Sequence, residues 1–181
     1  MKTLRAGIAS ALLVAGLGLA PIAPAAAAPY CGITWGSLAE TRAAMSTAQL
    51  TGVRAGRHGC FDRLVFDLRG KARGYDVRYV TAVYTEGEGR RVPLTGAADL
   101  QIVVRAPAYT PAGRPTYLPA NRNQAVPVAG YSTFRQVAFL GSFEGQTSFG
   151  LGVRARLPFR AFVLDGPGTG SRLVVDVAHR W

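Results

Sequence analysis

From Gln49 to the C-terminus the chain is a succession of short runs in which apolar residues recur at every second position. That period belongs to strands with one face in a core and the other toward solvent, and a helix does not satisfy it. In residues 64–68, LVFDL, Leu64, Phe66 and Leu68 share one face while Val65 and Asp67 share the other. Residues 76–84, DVRYVTAVY, align Val77, Tyr79, Thr81 and Val83, and residues 100–105, LQIVVR, alternate Leu100, Ile102 and Val104 with Gln101, Val103 and Arg105. FRQVAFLGSF, TSFGLGVRARL, RAFVLD and RLVVDV follow, rich in valine, phenylalanine and leucine and separated by glycine or proline. DGPGTGS, residues 165–171, has the composition of a turn between two antiparallel strands. Seven to eight short strands divided by turn signals predict an all-β domain, a β-sandwich or a small barrel. One short N-terminal helix is expected before them: Ser37 stands at a cap position with Glu40 three residues on, ahead of Ala43 and Ala44.

One pattern is used twice. Residues 62–68 are DRLVFDL and residues 171–177 are SRLVVDV, near the two ends of the mature chain. In each copy the arginine and the aspartate (Arg63 and Asp67, Arg172 and Asp176) share the face opposite the apolar one. Such residues pair across to neighbouring strands, for a few tenths to about 1 kcal/mol each, and discourage edge-to-edge aggregation. The repeat is therefore a rule for building half-buried strands, not a duplicated catalytic site.

The N-terminus has the form of an export signal. Lys2 and Arg5 precede an apolar stretch from Ala6 to Ala20, and Ala25-Ala26-Ala27 fits a small-residue cleavage site, so residues 1–27 are expected to be a signal peptide. Gly16, Gly18, Pro21 and Pro24 interrupt the run too early for a membrane span. The expected product is a secreted or envelope protein of one domain, residues 28–181, with no transmembrane segment. Export makes Cys31 and Cys60, the only two cysteines, a disulfide pair. A loop of that size is worth roughly 3–4 kcal/mol on the chain-entropy account. The alternative is a reactive Cys60 beside His58 in RHGC. Removing Lys2 and Arg5 leaves nineteen basic residues against ten acidic ones, a formal charge of +9, and all but Lys71 of these bases are arginine. GC-rich codon usage explains the arginine excess as well as function does. Outside the membrane, such a charge favours anionic envelope polymers or headgroups and disfavours a specific nucleic-acid partner.

Residues 106–131 depart from the strand period. Five prolines (107, 111, 115, 119 and 127) exclude a central strand, so the segment is expected to be a long ordered loop or an edge excursion. It carries Tyr109, Tyr117, Tyr131, Arg114 and Arg122, a spacing of flat aromatic and cationic groups suited to a glycan. With Arg135 just beyond it, Tyr109, Arg114, Tyr117 and Arg122 form the expected glycan-binding set. Trp35 and Trp181 are secondary candidates, Trp35 being equally a core residue beneath the disulfide and Trp181 a C-terminal packing residue.

Catalytic and metal chemistry is sparse. His58 and His179 lie in unrelated contexts, and no metal-ligand spacing or G-x-S-x-G motif is present. GPGTGS lacks the lysine and following helix of a phosphate loop, and the glycines of GSFEGQTSFG mark a bulge or tight packing. Glu144 with Asp165 or Asp176 is the one carboxylate pairing that glycoside hydrolysis would use. The residues thus predict no catalytic site, no cofactor and no metal.

CFDRLVFDL, with PFRAFVLDGPGTGSRLVVDVAHRW as a closing hairpin, resembles the strand pattern of the AMIN domain. YCGITWGS, VAGYSTFRQVAFLGSFEGQTSFGLGVRARLPFR and the terminal VAHRW resemble the actinobacterial secreted AMIN-like group in particular, a likeness covering residues 30–181. The resemblance implies a β-sandwich of two small sheets, non-catalytic and exported to the cell envelope. AMIN domains are typically targeting modules that bind peptidoglycan, so peptidoglycan or another envelope glycan is the expected partner. An envelope or secretion-machinery protein is the alternative partner, and a small glycan-lytic enzyme the third reading. The proline-rich 106–131 stretch has no counterpart in a minimal AMIN domain.

Overall fold

The structure is a computed structural model, which describes residues 28–181; the expected signal segment lies outside the described residues. Eleven strands follow in chain order: β1 (Glu40–Arg42), β2 (Gln49–Arg57), β3 (Phe61–Arg69), β4 (Tyr75–Val80), β5 (Val83–Tyr84), β6 (Arg91–Val92), β7 (Ala98–Val104), β8 (Phe134–Phe143), β9 (Gln146–Val153), β10 (Phe159–Asp165) and β11 (Ser171–Ala178). A five-stranded sheet runs β1-β4-β7-β9-β8 and a four-stranded sheet runs β10-β11-β3-β2, with β5 and β6 as a separate ribbon. Every pairing is antiparallel. The expected sandwich of two small sheets is thus the fold.

Alternation puts the apolar residues of both sheets into one core. Leu64, Phe66 and Leu68 of β3 and Leu173, Val175 and Val177 of β11 meet Val77 of β4, Leu100, Ile102 and Val104 of β7, and Phe149, Leu151 and Val153 of β9. Phe66 and Phe149 touch across the sheets with ring centroids 4.9 Å apart. A second, smaller cluster of Val83, Ala138 and Leu140 forms where the β5–β6 excursion folds over the outer face of the five-stranded sheet. That approach requires glycine in β9. A Cβ on Gly152 would lie 2.1 Å from the Thr95 carbonyl oxygen. The glycines of residues 141–150 therefore do mark irregularity and close packing, with the β8 register shifting between Phe139 and Gly141.

The two open sides of the sandwich are sealed differently. On one side the proline-rich loop runs between the edge strands β2 and β8. Leu50 donates its N–H to the Pro107 carbonyl, Thr116 donates its hydroxyl to Leu50, and Ala125 donates to the Val137 carbonyl of β8. Ala106, Ala108, Val126 and Val128 of the loop enter the core. On the other side, Phe159 of the β10 edge donates to the Gly36 carbonyl and Ala161 donates to a carboxylate oxygen of Glu40. Covered edges offer no template for pairing with another chain.

The expected N-terminal helix does not form. Glu40, Thr41 and Arg42 instead pair with Val77, Asp76 and Tyr75 of β4. A helix of two turns pays a nucleation penalty for few hydrogen bonds, whereas the β4 edge and the Ala161 N–H supply partners to the same residues. Cys31 and Cys60 are disulfide-bonded, with Cα atoms 6.2 Å apart, fastening the N-terminal segment to the start of β3. No helix among the described residues is long and apolar enough to cross a membrane.

Candidate functional site

The loop brings part of the expected set together. Tyr109, Tyr117 and Arg122 line one hollow of about 240 Å³, with Leu118 and Phe139. Tyr109 is pinned there because its hydroxyl accepts the Gly145 N–H at 2.9 Å. Tyr117 is half-buried, set edge-on to Phe139 at 5.8 Å, so it forms the wall of the hollow. Its hydroxyl is buried without a hydrogen-bond partner, and burial pushes its pKa up to about 12. The Arg122 guanidinium lies 5.1 Å from the centroid of the Phe139 ring. Arg122 and Phe139 also line an adjoining hollow of about 250 Å³, which includes Arg90, Arg91 and Pro93. Arg114 closes a turn with Thr110 at the rim, its side chain exposed. Among the described residues neither Arg114 nor Arg122 has a carboxylate partner.

Arg135 falls elsewhere. It lines a different hollow of about 440 Å³ with Asn121, Asn123 and Gln136, and its guanidinium turns back to the carbonyls of Tyr131, Ser132 and Phe134. Trp35 is neither in the core nor in the loop hollow. It lies against Phe61 on the outer face of the four-stranded sheet, with Arg160 4.3 Å from its ring centroid. Trp181 is exposed and donates its indole N–H to the Arg156 carbonyl.

What sequence reasoning missed is the depth at which Asp176 lies. Its side chain is fully buried, although it projects from the outer face. Arg63 reaches it with two hydrogen bonds of 2.6 and 2.8 Å, and Arg160 with one of 2.9 Å from Nε. Both guanidiniums also sit beside the Phe162 ring, at 5.7 and 5.0 Å. Phe61 and Trp35, distant from Asp176 in sequence, lie against the same guanidiniums, and alternation alone does not show this cover. The other copy behaves as expected: Asp67 pairs with Arg54 at 2.9 Å in partial exposure.

The expected carboxylate pairings, Glu144 with Asp165 or with Asp176, draw on different sheets. Asp165 stands opposite Ser171 and Asp176 opposite Arg160, five positions further along the same pair of strands. That is roughly 17 Å at the usual strand rise, so Asp165 and Asp176 do not meet each other. Asp165 is engaged by Lys71 and Arg73, and Glu144 belongs to the β8–β9 turn in the other sheet. The two histidines reach the same end of β3 on opposite faces: His58 stacks on Phe61, while His179 bonds the buried Asp62 at 3.2 Å. Among the described residues no three His, Cys, Asp or Glu side chains are grouped to hold a metal ion.

No curated protein and no solved structure matched the chain. The AMIN-like domain profile matched residues 48–179, which run from the residue before β2 to the one after β11 and contain every strand of the four-stranded sheet. The chain therefore belongs to the AMIN-like domain family, whose members are cell-envelope-associated modules.

Proposed function

We propose that this protein is a secreted, non-catalytic module that holds to an envelope glycan, peptidoglycan, through the face built by residues 106–131. The observation that carries the reading is the placement of Arg122. It is a cation without a carboxylate partner among the described residues, laid on Phe139 between two hollows. One hollow offers Tyr109, Tyr117 and Leu118, and the other offers Arg90 and Arg91. Apolar and aromatic walls suit the faces of sugar rings, and convergent guanidiniums suit the carboxylates attached to them. Family membership supports an envelope location, and the basic side chains that hold Asp165 and Asp176 in ion pairs support binding without turnover.

Incubation of residues 28–181 with purified sacculi, with and without their anionic polymers, tests this across a salt series. Retention on stripped sacculi at high salt is the expected result. Loss of binding on stripping, or in moderate salt, would contradict a peptidoglycan site on this face.

A second reading, a protein partner in the envelope, is favoured by one observation. Met45 and Phe143, 53% and 51% exposed, flank the β8–β9 turn, where a Cβ on Gly145 would lie 3.4 Å from Met45 Cε. Binding to such a partner would be indifferent to added glycan.

A further inference from the structure

Antiparallel pairing of β3 with β11 sets the arginine of each repeated pattern opposite the aspartate of the other, Arg63 against Asp176 and Arg172 against Asp67. Only the first pair closes. At the second, Arg54 of β2 takes both oxygens of Asp67, at 2.9 and 3.2 Å. Arg172 keeps one long hydrogen bond, from a terminal nitrogen to the Asp165 carbonyl at 3.3 Å. Its Nε–H is buried with no acceptor. A buried charged donor left unpaired is costly, and such groups call for a specific explanation.

Arg172 lines a hollow of about 330 Å³ beneath the β10–β11 turn, together with Arg69, Thr169 and Asp67. Arg69 is exposed and has no carboxylate partner among the described residues. Around the hollow, Arg54, Arg69, Lys71, Arg73 and Arg172 stand against only two carboxylates, Asp67 and Asp165, both already paired. We propose that this hollow is a binding site for a phosphoryl group, which supplies the acceptor that Asp67 withholds from Arg172. Donors on the end of β3, the turn and the start of β11 approach from three elements. Guanidinium forks of this kind match the oxygens of a phosphoryl group. The site lies on the four-stranded sheet and does not depend on the loop reading above. A phosphodiester of an envelope polymer, a lipid headgroup and free phosphate share the required chemistry.

The test follows the Nε–H resonance of Arg172 by NMR in residues 28–181, which contain both sheets. Inorganic phosphate is titrated against chloride at constant ionic strength. The expected result is a saturable shift at Arg172 Nε–H and the Thr169 amide with phosphate alone. Arg172→Gln and Arg69→Gln should each weaken it by about tenfold or more, the scale of one charge-assisted hydrogen bond. Arg69, exposed and unpaired, keeps the test valid if the Arg172 variant fails to fold. A teichoic-acid-type phosphodiester polymer and phosphatidylglycerol vesicles form the other arms, and the tightest binder identifies the source of the phosphoryl group. A linear response spread over all the arginines, equal shifts with chloride, or no loss in either variant would overturn the proposal.

Discussion

Asp67→Asn and Asp176→Asn change the same position of the two repeated patterns, and the structure predicts unequal losses. Asp176 is fully buried, and the side chains of Arg63 and Arg160 that bind it are 26% and 39% exposed. Removing one partner from a buried ion pair costs about 3–5 kcal/mol when the other stays dry. Here both arginines regain part of their hydration, which brings the expected loss to about 2–3 kcal/mol. In a domain of this size that is a fall of roughly 5–10 °C in Tm. Asp67 and Arg54 are 35% and 57% exposed on their side chains. A pair so placed is worth about 0.2–1 kcal/mol and is screened by salt. Urea denaturation of both variants, followed by far-ultraviolet circular dichroism, measures the difference. Losses within about 0.5 kcal/mol of one another would refute the distinction between a buried and a surface pair drawn from these burials.

Three further outcomes are expected. Tyr117→Phe should raise stability by about 1 kcal/mol in urea melts, because it deletes a buried hydroxyl that has no partner. In the unaltered protein, burial holds the Tyr117 pKa at about 12, above the ordinary 10.0, so its contribution is complete below the ordinary value and lost as pH rises through the higher one; burial also raises Tyr75 and Tyr79, so ultraviolet titration should show a late-ionising phase that shrinks in Tyr117→Phe. Gly152→Ala should lower stability by about 2 kcal/mol or more, since its Cβ meets a backbone oxygen that cannot give way. Burial acts to raise the Asp76 carboxyl, but hydrogen bonds from Arg78 and Thr41 and the charges of Arg78 and Arg105 outweigh it and hold its pKa below the usual 3.8. Its contribution is therefore present above that value and disappears as pH falls through the lower one, so acid urea midpoints should flatten in Asp76→Asn.

The strands were legible because period-two burial is written residue by residue: FRQVAFLGSF is β8 from its first position to its last. The helix expected at Ser37 shows where local signals end. Glu40 has the right spacing for a capping box, but its carboxylate is used by Ala161, 121 positions away. Proline content excluded a central strand from residues 106–131, yet nothing in composition encodes the path that carries the loop from β2 to β8. Tyr109, Tyr117 and Arg122 therefore converge while Arg135, four residues beyond Tyr131, lines another hollow. The open arginine at position 172 was invisible for a related reason. Its partner in the pattern is satisfied by Arg54, a residue outside both copies.

The most direct test of the glycan reading is a chemical-shift map of residues 28–181 with soluble peptidoglycan fragments at high salt. The account predicts saturable shifts centred on Tyr109, Leu118, Arg122 and Phe139, with Arg135 unmoved. Saturable shifts confined to other faces, or none at concentrations that saturate intact sacculi, would contradict it.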